Sequence, residues 1–209
     1  MNYSKKDIQS IIKTQALIRG YLQRKRVLIP RGSYHTKEWR ISQSWYKGGK
    51  CTECEKHQLS LIKKIMNIKN VSKTDLRLNI ETHKLEILKN PMVNDNGFDY
   101  TENFDYIIEF DKYTILFNLK FLCDSGGAQT RSLREVYNFI KAQYKFLQEN
   151  EDTKYIFINI LDGDCSNKHM NKFLYLSKSY KKYNSKCFTG DMYQFQELFL
   201  SGQSILSNR

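Results

Sequence analysis

Asp105, Asn118, Lys120, Arg131 and Arg134 are the side chains of this 209-residue chain whose types and spacing suit chemistry on an anionic substrate. They fall within one stretch, residues 104–143, reading FDYIIEFDKYTILFNLKFLCDSGGAQTRSLREVYNFIKAQ. Asp105 opens one apolar run, and Asn118-Leu119-Lys120 sits in the next, across a tight turn at Asp111-Lys112. Side chains alternate with period two along a strand, so Asn118 and Lys120 share a face and can converge on one phosphate. The loop Asp124-Ser-Gly-Gly-Ala-Gln-Thr130 then leads into a helix flanked by Arg131 and Arg134. Free N–H groups, the helix dipole and two guanidinium forks together make a phosphate seat. Ser132-Leu-Arg-Glu135 also has the form of a capping box, which gives Glu135 a purely structural use.

Positioning these residues requires strands before residue 122 and a long helix after it. Apolar spacing predicts a helix over 4–29, ended by the linker Pro30-Arg31-Gly32, and a second helix over 52–68. Strands follow at 76–80 and 83–88, then a turn-rich loop at 90–97, and strands at 104–110 and 113–122. A helix over 131–149 carries Leu133, Val136, Tyr137, Ile140, Tyr144 and Leu147 on one face. The run Tyr155 to Leu161 is apolar throughout, as a strand buried on both faces is. A helix at 168–182, a strand at 185–189 and a helix at 191–200 complete the pattern. The order after the linker is α-β-β-β-α-β with an α-β-α extension, and strands enclosed by helices in this way predict an α/β three-layer sandwich.

A net charge of +12 predicts an acidic partner: nucleic acid, an anionic surface or an acidic EF-hand protein. No stretch approaches the ~18 apolar residues of a membrane span, and the first residues lack a secretory signal, so an intracellular setting is expected. Five cysteines at 51, 54, 123, 165 and 187 form no disulfide framework. Cys51-x-x-Cys54-x-x-His57 has the form of half a zinc site, with His35 the one partner near enough to propose; a structural zinc needs four ligands. Among the lysines near the end, Lys181, Lys182 and Lys186 alternate with Tyr180 and Tyr183, a pattern suited to a nucleic-acid backbone.

Residues 14–27, TQALIRGYLQRKRV, resemble an IQ motif. Gln15, Arg19, Gly20, Arg24 and Val27 fit its pattern, and Thr14 stands where an aliphatic residue is usual. The resemblance implies binding of calmodulin or a related EF-hand protein. A basic amphipathic helix lays its apolar face in the partner's groove while its cations meet the acidic rim. Gln15 would bond backbone at the groove edge, and Gly20 would let the partner approach closely. Residues 1–30 thus read as one part and 31–209 as another.

Residues 51–161 resemble the PD-(D/E)xK superfamily of restriction-endonuclease-like proteins, whose core has the α-β-β-β-α-β order. The resemblance implies DNA as partner, magnesium as cofactor and hydrolysis of a phosphodiester. Asp105 would bind the metal, with Asn118 and the Leu119 carbonyl as further ligands; Lys120 would orient the attacking water, and Gln143 would be a polar neighbour. Asn118 departs from the family's Glu and supplies no charge, a lack that Glu55, Asp99, Glu102 or Glu135 would make up. Without such compensation the fold would bind DNA and not cut it. Many such enzymes cut as dimers, which implies a homodimer. An IQ element joined to a mostly microbial fold suggests a large DNA virus of a eukaryote, or a protist.

Overall fold

The structure is a computed structural model describing residues 35–48, 52–87, 100–110, 112–124 and 126–200. The predicted helix over 4–29, with Gln15, Arg19, Gly20 and Arg24, lies outside these residues, as do the linker and the 90–97 loop. The described elements are α1 (Lys37–Ser42), α2 (Thr52–Met66), β1 (Leu76–Asn79), β2 (Leu85–Ile87), β3 (Thr101–Asn103), β4 (Tyr106–Phe110), β5 (Tyr113–Phe121), α3 (Gly127–Glu149), β6 (Tyr155–Asp162), α4 (Asp164–Ser179), a 3-10 turn (Lys181–Tyr183), β7 (Cys187–Gly190) and α5 (Met192–Leu200). The described part of the chain is mixed α/β, with two sheets and five α-helices.

The larger sheet has the order β4-β5-β6-β7. β4 and β5 form the antiparallel hairpin expected around Lys112, with Phe110 opposite Tyr113. β5, β6 and β7 are parallel, joined through α3 and α4. β5 and β6 lie inside the sheet, and their apolar runs are buried almost end to end because both faces are covered. Strand parity sorts the core. Leu116 and Phe157 pack with α3 and α4 through Val136, Phe139, Ile140 and Phe173. Ile115, Phe117 and Leu119 point the other way, onto Ile62 and Ile65 of α2 and Phe195 of α5. Each such large side chain contributes roughly 2 kcal/mol through removal from water.

Three expectations change. Strands 76–80 and 83–88 do not join the main sheet; they form a second sheet, β2-β1-β3, using a three-residue strand at Thr101–Asn103 that the sequence did not single out. Asn79 sets their tight connection: its Oδ1 accepts from the N–H groups of Glu81 and Thr82, and His83 takes a positive φ of 55°. Next, α3 begins at Gly127 with Gly126 as its cap, four residues before the expected start. Ser132-Leu-Arg-Glu135 therefore lies inside the helix and is not a capping box. Finally, α1 was not anticipated; Thr36 caps it by accepting from Trp39 N–H at 3.1 Å.

The Lys181–Lys186 segment is also tied down by the protein itself. Lys182 pairs with Glu151, Tyr183 donates to the same carboxylate, and Lys186 donates to the carbonyls of Glu151 and Thr153. These contacts occupy two of the three lysines that the alternating pattern offered to nucleic acid.

Gly163 joins β6 to α4 with φ +99°, and a Cβ there would run into the Leu122 backbone. The Leu122 carbonyl already accepts from Cys165 N–H at 3.0 Å, so it has little room to move. Gly163→Ala is expected to lower stability by about 3 kcal/mol or more, read as a thermal-melt shift against the parent chain.

Candidate functional site at the carboxyl end of the central strands

A pocket of about 250 Å³ opens where β5 ends and α3 begins. Asn118 and Lys120 line it from β5, Glu55 from α2, Glu102 from β3, and Ser132 and Glu135 from α3. Ligands in parallel α/β sheets collect at this edge, beyond the carboxyl ends of the strands. Three of the four acids named as compensation for Asn118 thus stand around Lys120; the fourth, Asp99, lies outside the described residues.

Asp105 enters β4 immediately beside this site. Its Oδ2 accepts the Leu119 N–H at 2.6 Å, while its own N–H donates to the Phe117 carbonyl at 2.8 Å. It is therefore the N–H of Leu119 that meets the acid; the Leu119 side chain is fully buried on the opposite face of the sheet. Burial pushes the Asp105 carboxyl above its ordinary range, against the Lys120 charge, the Leu119 hydrogen bond and Lys73. Burial does the same to Glu55, and the Asp105 charge adds to it, while Lys120 and Lys73 oppose. Two carboxyls that each resist ionisation, one partly because of the other, form a site whose energy a cation would lower.

Asn118 is held by a buried amide network. Its Nδ2 donates to Asn159 Oδ1 at 3.0 Å across the β5–β6 ladder. Gln143 Nε2 donates to the same oxygen at 3.1 Å, and Asn159 Nδ2 returns a bond to Gln143 Oε1 at 2.8 Å and another to the Phe188 carbonyl. Gln143 is completely buried and does not line the pocket; it positions Asn118 through Asn159. A planar amide fixed by its nitrogen presents its oxygen at the other end. Asn159 was not anticipated, because it was read as part of the apolar run 155–161.

Arg134 does not face this pocket. At about 100° per residue, Ser132, Glu135, Val136 and Phe139 make one stripe of α3, and Leu133, Arg134 and Tyr137 make the roughly opposite one. The latter line a separate groove against α4. Arg131 is exposed in the second turn of the helix, away from its free N–H groups. The predicted phosphate seat is accordingly divided, with the arginines displaced from the helix start.

A second buried polar group supports the site from behind. Gln58 Nε2 donates to Asp162 Oδ2 at 2.7 Å and to the Lys120 carbonyl at 3.2 Å, and Asp162 Oδ1 accepts from Met192 N–H at 3.0 Å. His35 Nδ1 stands 3.2 Å from Asp162 Oδ2, near enough for an ion pair but without hydrogen-bond alignment. The signal for Gln58 was its place in the buried stripe Cys54, Leu61, Ile62, Ile65 of α2. Asp162 carried none, because it ends an apolar strand as a turn acid would.

His35 also packs at a tilt against Trp39, stacks against Phe121 and stands edge-on to His57, with the two histidine ring centroids 5.4 Å apart. The half zinc site thus brings His35 and His57 together, with Cys54 buried nearby; Cys51 lies outside the described residues. Among the described residues no group of three or more His, Cys, Asp or Glu is placed to hold a metal.

Burial, then the neighbouring His35, pushes His57 down to about 4. Its folded value lies below its unfolded one, so the unfolded chain binds the extra proton between those values. Stability is therefore full above pH ~6.5 and falls as the pH drops toward 4. The expected loss is about 1–2 kcal/mol, less than the full shift because the ring keeps partial contact with water. Denaturant midpoints at pH 7 and pH 4.5 measure it, and His57→Gln should flatten the difference.

Residues 8–28 match the family model of the IQ calmodulin-binding motif. No curated protein and no solved structure matches the chain. Among the described residues no helix is long and apolar enough to cross a membrane.

Proposed function

We propose that this chain is a calmodulin-recruiting protein, in which residues 8–28 bind calmodulin or a related EF-hand partner and residues 31–209 form a separate part. The match of residues 8–28 to the IQ motif carries the reading. Gln15, Arg19, Gly20 and Arg24 supply its polar and basic positions, and the net charge of +12 favours an acidic partner. The test compares the intact chain with a version lacking residues 1–30 on immobilised calmodulin. The intact chain should be retained and the shortened one released; equal retention would sink the proposal.

A second reading rests on the Lys120 pocket. We infer that the larger part is a restriction-endonuclease-like sandwich that binds DNA and hydrolyses its backbone with magnesium, as a homodimer or alone. What supports it is the gathering of Glu55, Glu102, Glu135, Asn118 and Lys120 around one cavity, with Asp105 behind them. Magnesium is commonly held by one or two carboxylates, with phosphate oxygens and water completing its shell. Asp105 and Glu55 would hold it, with the Asn118 amide oxygen facing the same cavity. The ion would supply positive charge to the scissile phosphate. Lys120 orients the attacking water, Leu119 N–H fixes Asp105, and Gln143 fixes Asn118 through Asn159. A chain that binds DNA without cutting it would mean that the three neighbouring acids do not replace the charge missing at Asn118. An intracellular place in a large DNA virus or its host suits both readings.

A further inference from the structure

A second cavity lies on the far side of α3 from Lys120. It is a groove of about 610 Å³ between α3 and α4, lined by Leu133, Arg134, Tyr137, His169, Lys172 and Tyr175 among others, and among the described residues no carboxylate lines it. The Tyr137 ring packs against Phe173 at 5.9 Å between centroids. Tyr175 stands 70% exposed at the rim, and Leu174 beside it is also exposed. Among the described residues no other ring packs on Tyr175. Acids are scarce on both helices: Glu135 faces the other pocket, Glu149 is paired with His83, and Asp164 accepts from Lys37 N–H.

We propose that this groove binds a nucleotide unit, a planar base stacked on Tyr175 with its phosphate held by Arg134 and Lys172. Two features favour this ligand over a merely acidic chain. The aromatic rings offer π-faces to a base, which stacking uses without regard to sequence. The arginine offers a fork suited to phosphate oxygens, and the volume lies within the range of small-molecule sites. The base-plus-phosphate chemistry comes from either a free nucleotide or a single strand. Among the described residues the groove shares none with the Lys120 pocket, so the cleavage reading does not bear on it.

The test uses the full chain with a fluorescein-labelled strand of twelve thymidines, followed by anisotropy, and with ATP, followed by calorimetry. At least one probe should bind. Tyr175→Ala should weaken that binding about tenfold. Arg134→Ala with Lys172→Ala should weaken it further and reduce the salt dependence by about two phosphate contacts. The side chains of Arg134, Lys172 and Tyr175 are exposed, and melting curves verify that each variant folds. Lys64→Ala with Lys69→Ala removes equal charge from another surface and should change affinity less than about twofold. Binding of ATP that competes with the strand identifies a nucleotide site; binding of the strand alone identifies a single-strand site. The proposal is overturned if neither probe binds, if Tyr175→Ala binds as the parent does, if the control pair loses as much affinity, or if polyglutamate competes as well as the strand.

Discussion

Reversing charge at Arg19 and Arg24 together, to Glu at both, is expected to weaken calmodulin binding by more than about 100-fold. Each cation of an amphipathic helix seated in an acidic groove meets the carboxylate rim, and a reversed charge turns attraction into repulsion on a surface shielded from solvent. Removing one partner of a desolvated charge pair costs ~2–5 kcal/mol, and reversal at two positions exceeds the tenfold carried by each 1.4 kcal/mol. The same exchange at Lys5 and Lys6, which lie before the matched segment, should change affinity only by general screening. Surface plasmon resonance on immobilised calmodulin separates the two. Equal loss from both pairs would mean that net charge, and not the IQ pattern, recruits the partner.

The second large effect concerns Lys120. If the pocket cleaves DNA, Lys120→Ala should lower the rate by about 10²–10⁴-fold, the range for a group that moves or stabilises charge at the reacting atoms. Asp105→Asn should be as severe, and it keeps the Leu119 hydrogen bond able to form, so the β4–β5 hairpin survives. DNA affinity should fall only a few-fold in either variant, since one contact among several is lost. Gln143→Leu is the informative companion. It leaves Asn159 Oδ1 and Nδ2 each one partner short, so it should loosen Asn118 and lower the rate without touching the substrate. Supercoiled plasmid with magnesium or manganese gives the readout. Nicking that persists in Lys120→Ala would remove that lysine, and the reading built on it, from consideration.

The central hairpin and the strands and helices after it were legible because their signals are strong and local. The runs 113–121 and 155–162 are long and apolar, and they became the buried interior strands that such runs predict. The convergence of Asn118 and Lys120 on one pocket follows from strand parity alone. Less legible was anything set by partners far away in sequence. Residues 76–88 alternate as any half-buried strands do, and nothing local says which sheet they join; their pairing with Thr101–Asn103 is a tertiary choice. The start of α3 was placed late because Gly126 and Gly127 were read as loop, when a glycine also serves as a helix cap. That four-residue error moved Arg131 and Arg134 off the helix start and onto other faces. Gln58 and Asp162 were missed because their partnership spans 104 positions, and no spacing rule reaches so far.

On the proposed reading, residues 8–28 recruit the partner and the ionisable pocket lies at the sheet's carboxyl edge. The measurement that tests the central claim most directly is a calorimetric titration of the full chain with calmodulin, repeated after the calmodulin is saturated with a peptide of residues 8–28. The account predicts one-to-one binding in the first titration and no heat in the second. Absence of heat in the first, or heat that survives the peptide, would contradict it.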